Sequence, residues 1–170
     1  MPRISRIDPQ TASSEARAAI DAHLNDGYRL TNEKLTLLHN VTAFHALEVQ
    51  SYALDRELQR IVGKRAADFF EYAISLENGC LVCSAYFTNL LKRNGIEDFD
   101  SFDFTEKERL LIAYGRAMAN NPKQVPDELF EQLNAHFSEE DLVVITTMGV
   151  FMIANNVFND VMQIEPEPIQ

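Results

Sequence analysis

Cysteine is scarce in this chain: Cys80 and Cys83 are the only two among 170 residues. Two thiols cannot make a disulfide framework, and a domain of this length buries enough surface to fold without one. They also argue against a structural zinc site, which takes four ligands, usually as two paired half-sites. His23, His39, His45 and His136 lie scattered, without metal-ligand spacing. Basic residues are the second scarcity. Fifteen Lys and Arg stand against 26 Asp and Glu, for a formal net charge of -11. That balance excludes a general binder of nucleic acid or anionic membrane, which needs clustered Lys and Arg. Long apolar runs are missing too. The longest, residues 142–154, holds Thr146 and Thr147 and is too short to span a bilayer as a helix. The opening Met1-Pro2-Arg3-Ile4-Ser5-Arg6-Ile7-Asp8 lacks the apolar core of a signal peptide. The expectation is a cytoplasmic protein whose thiols are held reduced, and there a lone CxxC is redox-active or metal-binding rather than structural.

No segment alternates with the period of two that marks a strand, and there is no internal repeat or linker. The chain reads as one all-α domain over residues 1–170. Pro2 and Pro9 keep the first twelve residues irregular. Ser13 or Ser14 caps a helix to about Asn25, with Ala16, Ala19, Ile20 and Leu24 on one face. A short piece covers residues 31–40. Thr42 is expected to cap a longer helix to about Val62, which Gly63 breaks. The next helix runs from Lys64 to Glu77 and stops at Asn78-Gly79. Another starts at the cysteines and ends at Asn94-Gly95. After a loop rich in Asp and Phe, Thr105 and Glu108 form a capping box for a helix to about Asn121. Pro126 to His136 gives a short helix. Ser138 caps the last one, which runs to about Met162 and is apolar all round. Such a helix is central in its own subunit or buried by another, and a homo-oligomer is expected. The tail at 165–168 reads as extended or disordered.

The chemistry lies in residues 68–94. Positions i and i+3 share a helix face, so Cys80 and Cys83 can meet at a helix start. Free N–H groups and the positive end of the helix dipole favour a thiolate there, more so at Cys80 than at Cys83. A second thiol within reach can close a disulfide after the first has attacked. Inert burial of both cysteines is the competing reading. A thioredoxin fold is not, because the residues before the pair read as helix rather than strand.

Asp68 stands twelve positions before Cys80, and the run from it into Cys80-Leu81-Val82-Cys83 resembles the carboxymuconolactone decarboxylase / alkyl hydroperoxidase D (AhpD)-like family. That family's signature is an acid, eleven residues, then C-x-x-C-x-x-x-H. Met1-Pro2-Arg3-Ile4, Asp8-Pro9, His39-Asn40, the segment 104–109, and Asn155, Asn159 and Asp160 resemble its other landmarks, over nearly the whole chain. The resemblance implies an all-helical AhpD-like domain that assembles as dimers, trimers or hexamers. It also implies a thiol-dependent antioxidant enzyme, a peroxidase without cofactor or metal, acting on a hydroperoxide and restored by an unknown dithiol reductant. It assigns attack to Cys83, resolution to Cys80, and proton relay or orientation to Asp68. Leu81, Val82, Phe87, Phe69 and Phe70 could wall a pocket for an organic hydroperoxide. Two departures stand out. The family acid, usually Glu, is Asp68 here, with Glu71 one turn on. The family histidine is Phe87, which cannot exchange a proton; Tyr86 is a poor base, and His39 is the first candidate for a substitute. Phe87 therefore keeps a second reading open, a binding, scaffold or redox-sensor member of the fold without peroxidase activity. The intact CxxC argues against a third, a cofactor-free decarboxylase.

Overall fold

The computed structural model describes residues 1–167, and every described element is helical. The elements are α1 (Ser14–Asn25), α2 (Asn32–Leu37), α3 (Val41–Phe44), a π turn (His45–Val49), α4 (Gln50–Val62), α5 (Lys64–Asn78), α6 (Leu81–Arg93), α7 (Glu106–Asn120), α8 (Asp127–Asn134) and α9 (Glu139–Met162). A 3-10 turn (Pro122–Gln124) joins α7 to α8. The part of the expected tail at Pro168 lies outside the described residues.

Most boundaries follow from local chemistry. Ser13 caps α1 by accepting from the Ala16 N–H, and Thr31 caps α2 from the Lys34 N–H. Gly63 (φ 84) and Gly79 (φ 69) take the positive φ that ends α4 and α5, a conformation open to Gly at little cost. Thr105–Glu108 and Ser138–Asp141 each form a complete capping box. Two expectations are corrected. Asn40, not Thr42, caps the long third segment, through the Ala43 N–H, so the helix begins at Val41. Leu24 is exposed on α1, and His23 takes the inward place beside Ala16, Ala19 and Ile20.

α5 is the centre of the main core. Phe69, Phe70, Ala73 and Ile74 are fully buried, and α5 packs against α4, α6, α7 and α9. Gly115 on α7 permits a close crossing: a Cβ there would sit 3.0 Å from Ile74 Cγ1 and 3.1 Å from the Phe70 carbonyl oxygen. The Asp- and Phe-rich loop closes one side, with Phe99, Phe102 and Phe104 set edge-on to Phe69. A smaller core joins α1, α2 and α3 through Ala19, Ile20, Leu37, Leu38 and Phe44.

α9 is both central and exposed. Leu142, Ile145, Met148 and Met152 face inward, and the helix touches α4, α5, α6, α7 and α8. It is longer than the apolar run suggested, at 24 residues, and is the one described helix long and apolar enough to cross a membrane. Its outer face carries Val143, Val150, Val157 and Val161, each at least half exposed. Their spacing of seven, seven and four places them in one stripe.

Candidate functional site

Cys80 is the N-cap residue of α6, and its sulfur accepts from the Cys83 N–H at 3.5 Å. The backbone reaches this position because Gly79 turns left-handed after α5, and the Cys80 N–H then closes on the Ser75 carbonyl. Both cysteines are free thiols. Their burial is high, with Cys80 at 0% and Cys83 at 6% exposure.

The two sulfurs are electrostatically unequal. The Cys83 thiol donates to the Cys80 sulfur, and backbone N–H groups of the first turn add to this; together they outweigh burial and lower Cys80. Cys83 is raised by that same hydrogen bond and by burial, and the Glu33 carboxylate raises it further. Of the two thiols, Cys80 therefore gives up its proton more readily than Cys83. Asn159 of α9 opposes part of the penalty at Cys83, where its Nδ2 donates to Sγ at 3.4 Å.

Asp68 has other neighbours. Its carboxylate accepts from Lys64 Nζ at 2.8 and 2.9 Å, one helical turn back on α5. Burial raises its pKa and Lys64 holds it back; the charges acting on it are Lys64 and Asp55. Glu71 is buried in the same group, and burial, with Asp55 and Asp68 nearby, keeps it protonated well above the ordinary range. Thus Asp68 and Glu71 share a cluster with Lys64, while the carboxyls that act on the thiols are Glu33, on Cys83, and Asp160, on Cys80.

Phe87 is buried and packs against Tyr72 and Tyr86, with ring centroids at 6.1 and 5.1 Å. Burial, Glu71 and Asp68 all raise the Tyr86 hydroxyl, so it is no base at neutral pH. His39 is exposed and hydrogen-bonds to the Ser5 carbonyl at 2.8 Å. Of the suggested pocket wall, Phe69 and Phe70 belong to the core at 0% exposure, and Leu81 points outward at 75%. Among the described residues, no group of three or more His, Cys, Asp or Glu side chains could hold a metal ion.

Glu33 and Glu48 are the residues that sequence reasoning missed. Glu33 reads locally as an acid placed in the first turn of a short helix, where it suits the dipole. Nothing nearby in sequence signals that it is 7% exposed and faces residues more than 45 positions away.

No family model matches the chain. No curated protein matches it either. Solved structures do. An uncharacterised peroxidase-related protein with an AhpD core from Ralstonia eutropha JMP134 superposes with a TM-score of 0.74 at 19% identity, covering 98% of this chain and 92% of the other. The debrominase Bmp8, in its apo form, gives 0.74 at 20% identity over 97% and 92% of the two chains. A protein of unknown function from Agrobacterium tumefaciens, provisionally named as an AhpD-type antioxidant-defence protein, gives 0.63 at 24% identity over 78% and 94%. The chain has the all-α AhpD-like fold.

Proposed function

We propose that the protein is a thiol-dependent peroxidase that reduces hydroperoxides through a Cys80/Cys83 dithiol–disulfide cycle. The observation that carries this reading is the pair itself, two free thiols on one helical turn at the start of α6, with the Cys80 sulfur accepting from the Cys83 N–H. The peroxidase-related name of the Ralstonia eutropha structure and the antioxidant-defence name of the Agrobacterium tumefaciens one support it. Loss of the Cys83 proton makes Cys83 the nucleophile. Its thiolate attacks a peroxide oxygen, the O–O bond breaks, the leaving alkoxide takes up a proton and departs as an alcohol, and Cys83 becomes a sulfenic acid. Cys80 then attacks the Cys83 sulfur, water leaves and the disulfide closes. An external dithiol in the reducing cytoplasm restores the pair.

Asp68 enters this scheme as an orienting acid rather than a direct proton carrier, since its partner is Lys64. The cycle is proposed to run in a homo-oligomer, with the Val143, Val150, Val157 and Val161 stripe covered by a second copy. The alternative, a sensor or scaffold without peroxidase turnover, is favoured by one observation: both sulfurs are buried and Phe87 offers no base. Stopped-flow mixing of reduced protein with cumene hydroperoxide separates the two. The peroxidase loses both thiols faster than free cysteine does, and Cys80→Ser and Cys83→Ser each abolish the disulfide. Thiol loss no faster than that of free cysteine selects the alternative.

A further inference from the structure

A path of buried polar groups leads away from the cysteine pair. Asn159 donates to Cys83 Sγ, and the same side chain interacts with the carboxyl of Glu33 on α2. Glu33 is buried, and its Oε1 has no hydrogen-bond partner. Glu48 of the π turn lies beyond it, accepting from the Tyr52 hydroxyl at 3.0 Å and paired with Lys34 Nζ at 3.4 Å. The Tyr52 hydroxyl is in turn 3.3 Å from His23 Nδ1, and His23 Nε2 is 3.1 Å from the Arg29 carbonyl. Side chains from α1, α2, the π turn, α4 and α9 thus form one polar arm that ends at a thiol of α6.

Burying a carboxyl is costly unless partners satisfy it, and an orphaned oxygen within such an arm calls for an explanation. Lys34, a cation that acts on Glu33, is engaged with Glu48. The orphaned atoms on α9, Oδ1 of Asn155, Asn156 and Asn159, are also acceptors. The unpartnered Oε1 leaves Glu33 a free site at which to accept a proton. Phe87 leaves the pair without a proton-exchanging group at the position where the resembled family has histidine.

We propose that Glu33 is the acid–base partner of the dithiol: it takes up the proton that leaves the pair, and returns it to the alkoxide formed when the O–O bond breaks. This rests on the peroxidase reading for the second half of the exchange only. The Glu33 carboxylate accepts one proton and leaves one thiolate and one thiol. The thiolate attacks the hydroperoxide, the alkoxide takes the Glu33 proton and departs as alcohol, and the sulfur is oxidised to sulfenic acid. The remaining thiol attacks that sulfur, and its proton leaves with the hydroxide as water. The pair gives up two electrons, one hydroperoxide is reduced, and Glu33 ends as the carboxylate it began as.

Burial and the neighbouring Glu48 push Glu33 up to about 8, close to the pH at which a general base works best. Lys34 and Asn159 act in the opposite direction, and Cys80 adds to the rise. Further charged or titratable groups around the arm are Cys83, Asp160, which acts on Cys80, and at the far end Tyr52, His23, Tyr28 and Asp26.

The test uses full-length reduced protein, alone and with Glu33→Gln or Glu33→Asp. Alkylation by iodoacetamide, which reports the thiolate and needs no peroxide, is followed against pH beside thiol loss to cumene hydroperoxide. In the wild type both rates rise through a step near pH 8. Glu33→Gln removes that step and slows both reactions by about 10²-fold on its upper side. Glu33→Asp keeps a step, displaced in pH, and serves as the test by itself should Glu33→Gln fail to fold. A Glu33→Gln protein that follows the wild-type alkylation profile, or a Glu33→Asp protein without any step, overturns the assignment. Wild-type protein inert to hydroperoxide but showing the alkylation step keeps Glu33 as the proton partner and removes the peroxidase reading alone.

Discussion

Glu33 makes the fold itself pH-sensitive, in a direction opposite to ordinary acid denaturation. In the unfolded chain its carboxyl titrates near the ordinary value of 4.5, whereas in the fold burial and Glu48 raise it to about 8. Between those values the folded state holds a proton that the unfolded state has lost. Stability therefore falls as pH rises through this window, by about 1.4 kcal/mol for each pH unit. From pH 5.5 to 7.5 the loss assigned to Glu33 is roughly 3 kcal/mol, worth roughly 6–12 °C in Tm for a chain of this size. Glu71 adds a loss of the same sign. His23, lowered by burial, adds a gain with pH over the lower part of the range. Both are common to wild type and Glu33→Gln, so they cancel in the comparison. The carboxyls held below the ordinary range, Glu108 among them, change stability only at lower pH. Glu33→Gln is thus expected to unfold with a much flatter pH dependence and to gain on the wild type as pH rises. Urea unfolding of reduced protein at several pH values between 5.5 and 7.5 measures this. Parallel stability curves for the two proteins would refute the reasoning, because they would mean that Glu33 does not keep its proton in the fold.

Three further outcomes follow from the packing. Gly115→Ala places a methyl group 3.1 Å from the Phe70 carbonyl oxygen, and backbone cannot step aside cheaply; the strain of about 1–3 kcal/mol exceeds the roughly 1 kcal/mol gained in helix propensity, so thermal melts should show a lower Tm. Gly149→Ala meets mainly the flexible end of Met118 and should cost less. Phe87→His, which restores the family signature, replaces a buried ring packed on Tyr72 and Tyr86 and should cost about 2–4 kcal/mol by urea unfolding. Its cost should grow below about pH 6.5, where the unfolded imidazole takes up a proton that the buried one refuses. Val150→Glu with Val157→Glu on the exposed stripe of α9 should convert an oligomer into a folded monomer in sedimentation velocity; a monomeric wild type would contradict a second copy on that face.

The legible parts of this chain were those with local causes. Ser13, Thr105 and Ser138 declare helix starts because a cap is made within three residues, and Gly63 and Gly79 declare stops because only their own φ is at issue. The CxxC at the head of α6 was legible for the same reason. What the sequence hid is tertiary. Asp68 fits a signature by spacing, yet its carboxylate is occupied by Lys64, four residues away on its own helix. Glu33 fits no spacing, and it acts on Cys83 only because α2 and α9 meet there through Asn159. The outward turn of Leu24 and the inward turn of His23 likewise depend on Tyr52, which approaches from another helix.

The dithiol is tested most directly by counting thiols. Reduced protein is mixed with cumene hydroperoxide, quenched, and analysed for free thiols and for an intramolecular disulfide joining Cys80 to Cys83. The account predicts two thiols lost per chain for each hydroperoxide reduced, with Cys83→Ser unreactive and Cys80→Ser halted at the sulfenic acid. Wild-type protein that keeps both thiols, or loses them no faster than free cysteine, would contradict it.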